Sequence, residues 1–227
     1  MNCELRIEPI AYFHSPLTSK FGVPRQSGLV ESLRGRVVFE PAYRREEALR
    51  GLADFDYVWL IWGFSRVESR SSRESRVESL TVRPPRLGGN ERIGVFASRS
   101  PFRPNGLGLS CVRISKIENC EIELLGADLM DGTPIYDVKP YIPYADAHPE
   151  ARGGFTDKRE WKVLKVEIPK AIQLQFTKEE LQTLTEILSL DPRPHYHDDP
   201  NRVYGMPFAG RDIKFRVDAD RCIVVER

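Results

Sequence analysis

Two arginines four residues apart, Arg99 and Arg103, alternate with Pro101 and Pro104 in the middle of the chain. Proline fixes the backbone φ angle, so these residues predict a stiff loop that carries two guanidinium groups. A guanidinium donates paired hydrogen bonds to a carboxylate or a phosphate, and a stiff loop holds it ready for such a ligand. The segment therefore indicates an anion-binding site. The alternative is that aspartates of the same chain pair with these arginines and hold the loop.

Three carboxylates lie within ten residues further along the chain, at Asp128, Asp131 and Asp137. Paired carboxylates bind metals, act in acid–base chemistry or hold the hydroxyl groups of a ribose. Their spacing does not match a calcium-binding loop, which disfavours the metal interpretation. Asp131 precedes Gly132 and would also serve simply to cap its own turn.

A third candidate loop runs from Val23 to Gly28, where a proline and a glycine bracket polar residues. This composition predicts a loop with exposed backbone N–H groups, and an ordinary turn would have the same composition. Metal centres and disulfides are not expected, because the four cysteines and four histidines are scattered and no Cys-x-x-Cys pair occurs.

The net charge of +1 hides a basic region. Between Arg66 and Arg113 the chain has ten arginines, four glutamates and no lysine. Such a region favours contact with phosphate groups; the alternative is a solvated face with ion pairs inside the chain. The sequence shows no signal peptide and no apolar run long enough to cross a membrane, so we expect a cytoplasmic protein.

Alternating apolar and polar residues dominate the first 145 residues and predict many short strands. The predicted strands are Leu5–Tyr12, Arg36–Glu40, Asp56–Phe64 (buried on both faces), Leu80–Arg83, Ile93–Ala97, Leu109–Ile117, Cys120–Leu125 and Ile135–Val138. A helix is predicted at Pro41–Leu52. This pattern favours an all-β barrel or sandwich, and no Gly-x-Gly-x-x-Gly motif supports a dinucleotide-binding sheet.

A boundary is expected near Ala145–Thr156, where the periodicity stops. We therefore divide the chain into a domain at 1–150 and a smaller α+β domain at 157–227. The second domain is predicted to contain a strand at Val163–Ile168, a helix opened by a capping box at Thr177 that runs through Leu190, and a hairpin at 213–225.

Several motifs together resemble the TrmO family of tRNA methyltransferases, also called TsaA-like or YaeB-like. They are Pro24-Arg-Gln, Val82-Arg-Pro-Pro-Arg-Leu-Gly-Gly-Asn90, Ser98-Arg-Ser with Phe102-Arg-Pro-Asn105, Asp128-Leu-Met-Asp-Gly-Thr-Pro134 with Asp137-Val-Lys-Pro-Tyr141, and Asp191-Pro-Arg-Pro-His-Tyr196. The resemblance covers nearly the whole chain.

The resemblance implies a mainly β chain, in which a small single-sheet β-barrel is followed by a smaller α+β C-terminal domain, and it implies a homodimer. It implies that the barrel binds S-adenosylmethionine and transfers a methyl group to N6 of N6-threonylcarbamoyladenosine, next to the anticodon. The anticodon stem-loop of tRNA is then the expected partner. Cofactor contacts are implied at Gln26, Ser27, Gly28, Phe64, Ser65, Arg103, Leu129, Met130, Asp131 and Gly132.

The implied reaction needs further groups around the substrate. The attacking nitrogen belongs to a urea-like group and is a poor nucleophile, so we expect a residue to take its proton. Three candidates for this role stay open: Asp137, Asp191 and Tyr196. An arginine would distinguish the threonyl carboxylate from plain adenosine, because a buried guanidinium without a partner is costly. The candidates are Arg99 and Arg193.

Asn105, Lys139 and Tyr141 are further residues that we expect to contact the substrate. Tyrosines 141, 144 and 196 would suit stacking on unpaired bases, although each is equally suited to a place in the core. Two other functions are also compatible with these residues: a non-enzymatic RNA-binding β-barrel, and a methyltransferase that acts on a small molecule.

Overall fold

The computed structural model describes residues 6–64, 80–84, 91–158, 163–193 and 199–226. Some of the residues singled out above lie outside the described residues. They are Leu5 at the start of the first predicted strand, the candidate cofactor contact Ser65, the candidate proton acceptor Tyr196, and much of the basic region.

The described strands are, in chain order, β1 (Ala11–His14), β2 (Arg34–Phe39), β3 (Tyr57–Gly63), β4 (Thr81–Val82), β5 (Ile93–Gly94), β6 (Leu107–Glu118), β7 (Glu121–Leu125), β8 (Thr133–Pro140), β9 (Lys165–Glu167), β10 (Tyr204–Phe208), β11 (Arg211–Asp218) and β12 (Arg221–Val224). The described α-helices are α1 (Glu46–Leu49), α2 (Pro143–Asp146), α3 (Lys170–Gln173) and α4 (Lys178–Ser189). Short 3-10 helices lie at Leu52–Asp54, Val95–Ala97 and Gly154–Lys158.

Six of these strands close into a barrel in the order β1-β2-β7-β6-β3-β8. Every neighbouring pair is antiparallel, and closure leaves no strand edge of this sheet unpaired. The prediction of a mainly β fold is confirmed, and of the two architectures that the sequence left open the structure has the barrel.

The alternation of residue types along each strand decides which side chains fill the barrel. On β3, Val58, Leu60 and Trp62 point inward and are buried. Tyr57 is exposed on the outer face of the same strand, and Trp59 and Ile61 are half-buried there. The prediction that this strand is buried on both faces is therefore wrong, because its outer side chains are only partly covered.

All three loops that the sequence analysis selected lie at one end of the barrel. Antiparallel neighbours place the segment after β1, the segment between β3 and β6, and the segment between β7 and β8 on the same side of the sheet. The first segment comprises residues 15–33, the second the described residues 64, 80–84 and 91–106, and the third residues 126–132. We call this end of the barrel the rim.

A second sheet follows the barrel, in the order β10-β11-β12-β9, with β9 parallel to β12. The helix predicted from its capping box is confirmed as α4: Thr177 Oγ1 accepts from the Glu180 N–H at 3.1 Å, and the Glu180 carboxylate accepts from the Thr177 N–H at 2.9 Å. The smaller α+β unit and its hairpin of β11 and β12 agree with the prediction.

The sequence analysis missed β10. Tyr204, Met206 and Phe208 alternate inward on it, but Gly205 and Pro207 lie between them and hide the strand signal. Proline lacks an N–H, so it is tolerated in a sheet only where no ladder bond is needed. β10 is the edge strand of its sheet and meets this condition.

Two predicted elements are shorter than expected. The helix predicted at Pro41–Leu52 is wrong over most of its length, because only α1 is α-helical and none of its residues is buried. Leu49 and Leu52 are the residues of this stretch that pack, partly buried, against the barrel core, and this small apolar surface does not hold a longer helix. The strand predicted at Ile93–Ala97 ends at Gly94, and a 3-10 helix follows directly.

The segment between β1 and β2 belongs to the barrel by its ends but packs against the second sheet. Leu17, Val30 and Leu33 lie in one apolar cluster with residues of α4, β10 and β11. The Glu186 carboxylate on α4 accepts hydrogen bonds from the Ser32 backbone N–H at 3.2 Å and from its hydroxyl at 2.8 Å. The division of the chain at 1–150 and 157–227 stays a prediction.

Among the described residues, no helix has both the length and the apolar character that crossing a membrane requires.

Candidate active site

Hydrogen bonds between the segments hold the rim together. The Gly28 N–H donates to the Gly126 carbonyl at 2.8 Å, which joins the first segment to the third. Arg99 Nη1 donates to Gln26 Oε1, which joins the second segment to the first. The structure therefore brings together Gln26, Ser27 and Gly28, the turn at 129–132, and Arg99.

Asp128, one of the three carboxylates singled out from the sequence, lies at the centre of these contacts. Its Oδ1 accepts a hydrogen bond from the Ser110 hydroxyl at 2.6 Å. Ser110 is buried and in turn accepts from the Trp62 indole N–H at 3.0 Å. The three residues thus form a chain of hydrogen bonds from the barrel interior to the rim.

Burial raises the pKa of the Asp128 carboxyl above its ordinary value. Hydrogen bonds act in the opposite direction, first from Ser110 and then from the backbone, including that of Ser27. The positive charge of Arg99 also favours the ionised form. Asp128 therefore interacts with residues from each of the other two segments of the rim.

The turn between β7 and β8 is held by hydrogen bonds from its backbone N–H groups to carbonyls of β1 and of the segment after β1. The Asp131 N–H donates to the Leu17 carbonyl at 2.9 Å, and the Gly132 N–H donates to the Phe13 carbonyl at 2.8 Å. The Asp131 carboxylate accepts from the Ser15 N–H at 3.1 Å and lies 3.3 Å from His14 Nδ1. Leu129 is buried beneath the turn and Met130 is half-buried. The Asp131 side chain thus holds the end of β1.

Two glycines keep the surface of the rim open. Gly28 and Gly132 both have positive φ angles, of 81° and 75°, and a Cβ atom built on either would meet no other atom within 4 Å. A ligand can therefore approach the backbone closely at both positions, as it does at the glycine-rich loops that bind nucleotides.

Arg103 and Phe64 line the second segment. Arg103 Nη1 donates to the Ser98 carbonyl at 2.6 Å and to the Val95 carbonyl at 3.3 Å. The Phe64 N–H donates to the Gly106 carbonyl at 3.0 Å, and its ring centroid lies 4.4 Å from that of Trp62. Asn105 is exposed beside Gly106. Arg103 in this structure therefore bonds to backbone carbonyls of the loop that carries it, and not to an aspartate as the alternative in the sequence analysis supposed.

The candidate residues of the C-terminal unit form an ion pair beside the first segment. Arg193 Nε lies 3.0 Å from each carboxylate oxygen of Asp191, and both side chains are 16% exposed. Asp191 also lines a cavity of about 180 Å³ together with Lys20 and Arg25. Burial lowers the pKa of Arg25, and the charge of Asp191 acts in the opposite direction. Since Arg25 precedes Gln26, this ion pair adjoins the rim.

Asp137, Lys139 and Tyr141 lie elsewhere, on the outer wall of the barrel. Asp137 forms an ion pair with Lys139 at 3.0 Å, and it pairs with Ile61 of β3. At about 3.3 Å per residue, Asp137 is roughly 13 Å along β8 from Thr133 at the rim. The structure does not bring these three residues to the rim of their own chain.

Tyr141 belongs to an apolar patch on this outer wall. Its ring packs at 6.0–6.1 Å from the rings of Trp59 and Tyr57. Cys111 and Leu109 of β6 face Trp59 and Ile61 across the sheet, and Leu109 is 54% exposed. We call Tyr57, Trp59, Leu109, Cys111 and Tyr141 the outer patch.

Within the parts of the chain that the structure describes, no group of three or more His, Cys, Asp or Glu side chains is placed to hold a metal ion.

Comparison with protein families finds matches over most of the chain. Residues 12–147 match the model of the tRNA-methyltransferase O N-terminal domain, and residues 162–226 match that of the TrmO C-terminal domain. Together these ranges contain all of the candidate residues discussed above.

Two bacterial relatives are similar to the chain over nine tenths or more of both lengths. The chain is 34% identical over 224 residues to a tRNA (adenine(37)-N6)-methyltransferase of Escherichia coli K12, covering 93% of each chain. It is 38% identical over 214 residues to a Pseudomonas aeruginosa protein whose name places it with the S-adenosylmethionine-dependent methyltransferases, covering 91% of this chain and 90% of the relative. The crystal structure of TrmO from Pseudomonas aeruginosa is similar with a TM-score of 0.78 and 30% identity, covering 99% of this chain and 98% of that one.

Proposed function

Because the chain belongs to the TrmO family of tRNA methyltransferases, we propose that it methylates N6 of adenosine 37 in tRNA with S-adenosylmethionine as the methyl donor. The specific substrate that we propose is N6-threonylcarbamoyladenosine in the anticodon stem-loop. The observation that carries the proposal is the rim, where three segments of the chain are joined by hydrogen bonds around open backbone at Gly28 and Gly132.

The rim residues fit a nucleoside-bearing cofactor. Gly28 and Gly132 leave room for it to approach the backbone, and Phe64 contributes an aromatic ring at the start of the second segment. S-adenosylmethionine supplies a methyl group already activated on a sulfonium, so the protein need not create an electrophile. The task of this chain is to orient the acceptor nitrogen toward that methyl group and to exclude water.

Arg99 is suited to hold the threonyl carboxylate of the substrate. Its side chain is exposed on the rim and is oriented by the bond to Gln26. Arg193, the other candidate, is largely buried and already faces the Asp191 carboxylate. A guanidinium that meets a carboxylate in the correct substrate, and none in plain adenosine, favours the correct substrate.

Asp191 is the proton acceptor that the geometry favours among the described candidates. Its carboxylate adjoins the first segment of the rim through Arg25, and the Arg193 guanidinium orients it. Asp137 lies on the outer wall, where it pairs with Lys139. In the proposed reaction Asp191 takes the proton that N6 loses when the nitrogen–methyl bond forms.

We also propose that the protein is a homodimer that buries the outer patch. Tyr57 and Leu109 are 41% and 54% exposed there, and an exposed apolar patch with a polar border is typical of an interface between proteins. Light scattering after size exclusion should give twice the chain mass of 26.0 kDa. Leu109→Lys should give the monomer mass, and a wild-type monomer would contradict the proposal.

The substrate is tested with two forms of the same tRNA, one bearing threonylcarbamoyladenosine and one lacking the modification. After incubation with S-adenosylmethionine and nuclease digestion, mass spectrometry should find a threonylcarbamoyladenosine heavier by one methyl group in the first tRNA only. Methylated plain adenosine in the second tRNA would contradict the proposed substrate. No methylated nucleoside in either tRNA would favour a non-enzymatic RNA-binding protein.

A further inference from the structure

Two phenylalanine side chains project from the second segment of the rim into solvent. Phe96 is 71% exposed and Phe102 is 62% exposed. Burial of a phenylalanine ring is favourable, so two neighbouring exposed rings on one loop favour a partner that covers them.

Hydrogen bonds within the loop fix the backbone that carries these exposed rings. Val95 is buried and anchors the 3-10 helix that carries Phe96. The Ser98 hydroxyl donates to the Val95 carbonyl at 2.9 Å, and the Ser100 hydroxyl accepts from the Phe102 N–H at 3.2 Å. With the bonds that Arg103 makes to the Ser98 and Val95 carbonyls, the backbone is fixed on both sides of each ring. The loop thus presents the two rings without support from a partner.

The surroundings of the rings indicate an anionic partner. The described residues 80–84 and 91–103 contain four arginines and one glutamate. The Arg103 guanidinium carbon lies 5.8 Å from the centroid of the Phe96 ring, and Arg99 is exposed between the two phenylalanines. Aromatic rings interleaved with arginines are typical of surfaces that bind single-stranded nucleic acid, where bases stack on the rings and cations meet phosphates. The outer patch, by contrast, is mainly apolar.

We propose that Phe96 and Phe102 are stacking platforms for unpaired bases of the anticodon loop. This inference rests on the proposed function. An adenine inside the loop must leave the stack of its neighbours before its N6 atom can reach the rim, and a protein ring that stacks on an exposed base compensates for the lost contact. Phe96 and Phe102 are close in sequence to Arg99, so the stacked bases would lie beside the residue that we propose for the threonyl carboxylate.

Binding of full-length tRNA that bears threonylcarbamoyladenosine, measured by fluorescence anisotropy, tests the proposal. F96A and F102A should each weaken tRNA binding about tenfold and raise the KM for tRNA, while the KM for S-adenosylmethionine stays unchanged. F96Y and F102Y should restore binding, because tyrosine keeps the aromatic face. The matched control is F55A, because Phe55 is 37% exposed at the opposite end of the barrel; this variant should bind tRNA as the wild type does.

Three results would overturn the proposal. Unchanged tRNA affinity in F96A and F102A would show that the rings touch no base. Loss of the dimer in either variant, measured by light scattering, would show that a second copy of the chain covers them. An equal loss of affinity in F55A would show that the effect is not specific to the rim. If the wild type binds tRNA through these rings but transfers no methyl group, the proposed function alone fails.

Discussion

At the scale of single residues, Asp128 connects the inside of the barrel to its rim. The carboxylate accepts from Ser110, which accepts from Trp62, and the backbone of Ser27 acts on the same carboxylate. A carboxylate can accept several hydrogen bonds at once, whereas an amide of the same size offers one acceptor and one donor group. The charge of Asp128 therefore matters for the position of the first segment.

Asp128→Asn should raise the KM for S-adenosylmethionine about tenfold and lower kcat much less. The amide removes the charge that interacts with Arg99 and replaces one carboxylate oxygen by an NH2 group, which cannot accept a hydrogen bond; we expect a cost of about 1–3 kcal/mol and a looser contact with the segment that contains Gly28. Steady-state kinetics with varied cofactor measures the effect. Asp212→Asn, which removes a surface ion pair with Lys214 in the second sheet, is the matched control and should leave both constants unchanged. An unaltered KM in the Asp128 variant would refute its positioning role.

Cys222 should be unreactive in the folded protein. Burial, chiefly, raises the pKa of its thiol from 9.0 to about 12, and the thiolate is the reactive form. Alkylation at pH 8 followed by peptide mass mapping should label Cys222 only after denaturation, whereas Cys120 in the turn between β6 and β7 should react in the native state. Native labelling of Cys222 would contradict its burial.

The same thiol affects stability at high pH. The unfolded chain loses the proton of Cys222 near pH 9.0, whereas the folded chain retains it to about pH 12. The folded state therefore binds more protons between these values, and its stability relative to the unfolded state decreases as the pH rises through this range.

At the scale of elements, the segment from β1 to β2 is shaped by close contact with β10. Gly22 has a φ of 94°, and a Cβ atom on it would lie 2.3 Å from the Met206 sulfur. Met206 is fully buried, so it has little room to move away. This contact fixes the course of the chain shortly before the candidate cofactor residues Gln26, Ser27 and Gly28.

Gly22→Ala should lower the free energy of unfolding by about 1–3 kcal/mol, because both the positive φ and the contact with Met206 oppose a methyl group. It should also weaken binding of S-adenosylmethionine, measured by calorimetry. Gly210→Ala is the control for the backbone effect alone, because Gly210 also has a positive φ but open space around it. Equal losses of stability in the two variants would show that Met206 plays no part.

The sequence predicted elements well where the signal is local. Strand alternation located the barrel strands, and Thr177 with Glu180 located the start of α4. The prediction was wrong at 41–52, because only Leu49 and Leu52 of that stretch pack, partly buried, against the barrel core. The network of Trp62, Ser110 and Asp128 was beyond sequence reasoning, since its members are 48 and 18 residues apart and meet only when the barrel closes.

At the scale of the whole molecule, the two sheets meet through the segment between β1 and β2. Ser32 of this segment donates two hydrogen bonds to Glu186 of α4, and its hydroxyl lies 2.9 Å from that of Thr183. The α4 helix thereby restrains the chain just after Gly28, whereas the contact of Gly22 with Met206 restrains it before Gly28. The second sheet therefore contributes to the geometry of the rim.

Glu186→Gln should lower the free energy of unfolding by about 1–2 kcal/mol, because the Ser32 N–H and hydroxyl lose a charged acceptor. It should also raise the KM for S-adenosylmethionine. Thermal unfolding and kinetics measure the two effects. Glu179→Gln on the same helix is a suitable control, because its side chain is exposed at the first turn. A loss of stability without any change in KM would mean that the contact between Ser32 and Glu186 does not influence the rim.

Leu17, Val30 and Leu33 precede most of the barrel in the chain, yet they complete the apolar interior of the C-terminal unit. In a chimaera that takes only the C-terminal unit from a homologue, with the join near residues 145–156, the apolar core of that unit would come from the homologue. It would then have to pack against these three side chains of the original protein. Swapping residues 15–33 together with the C-terminal unit keeps the matching surfaces together, so recombination of such enzymes should succeed with three crossover points and fail with one.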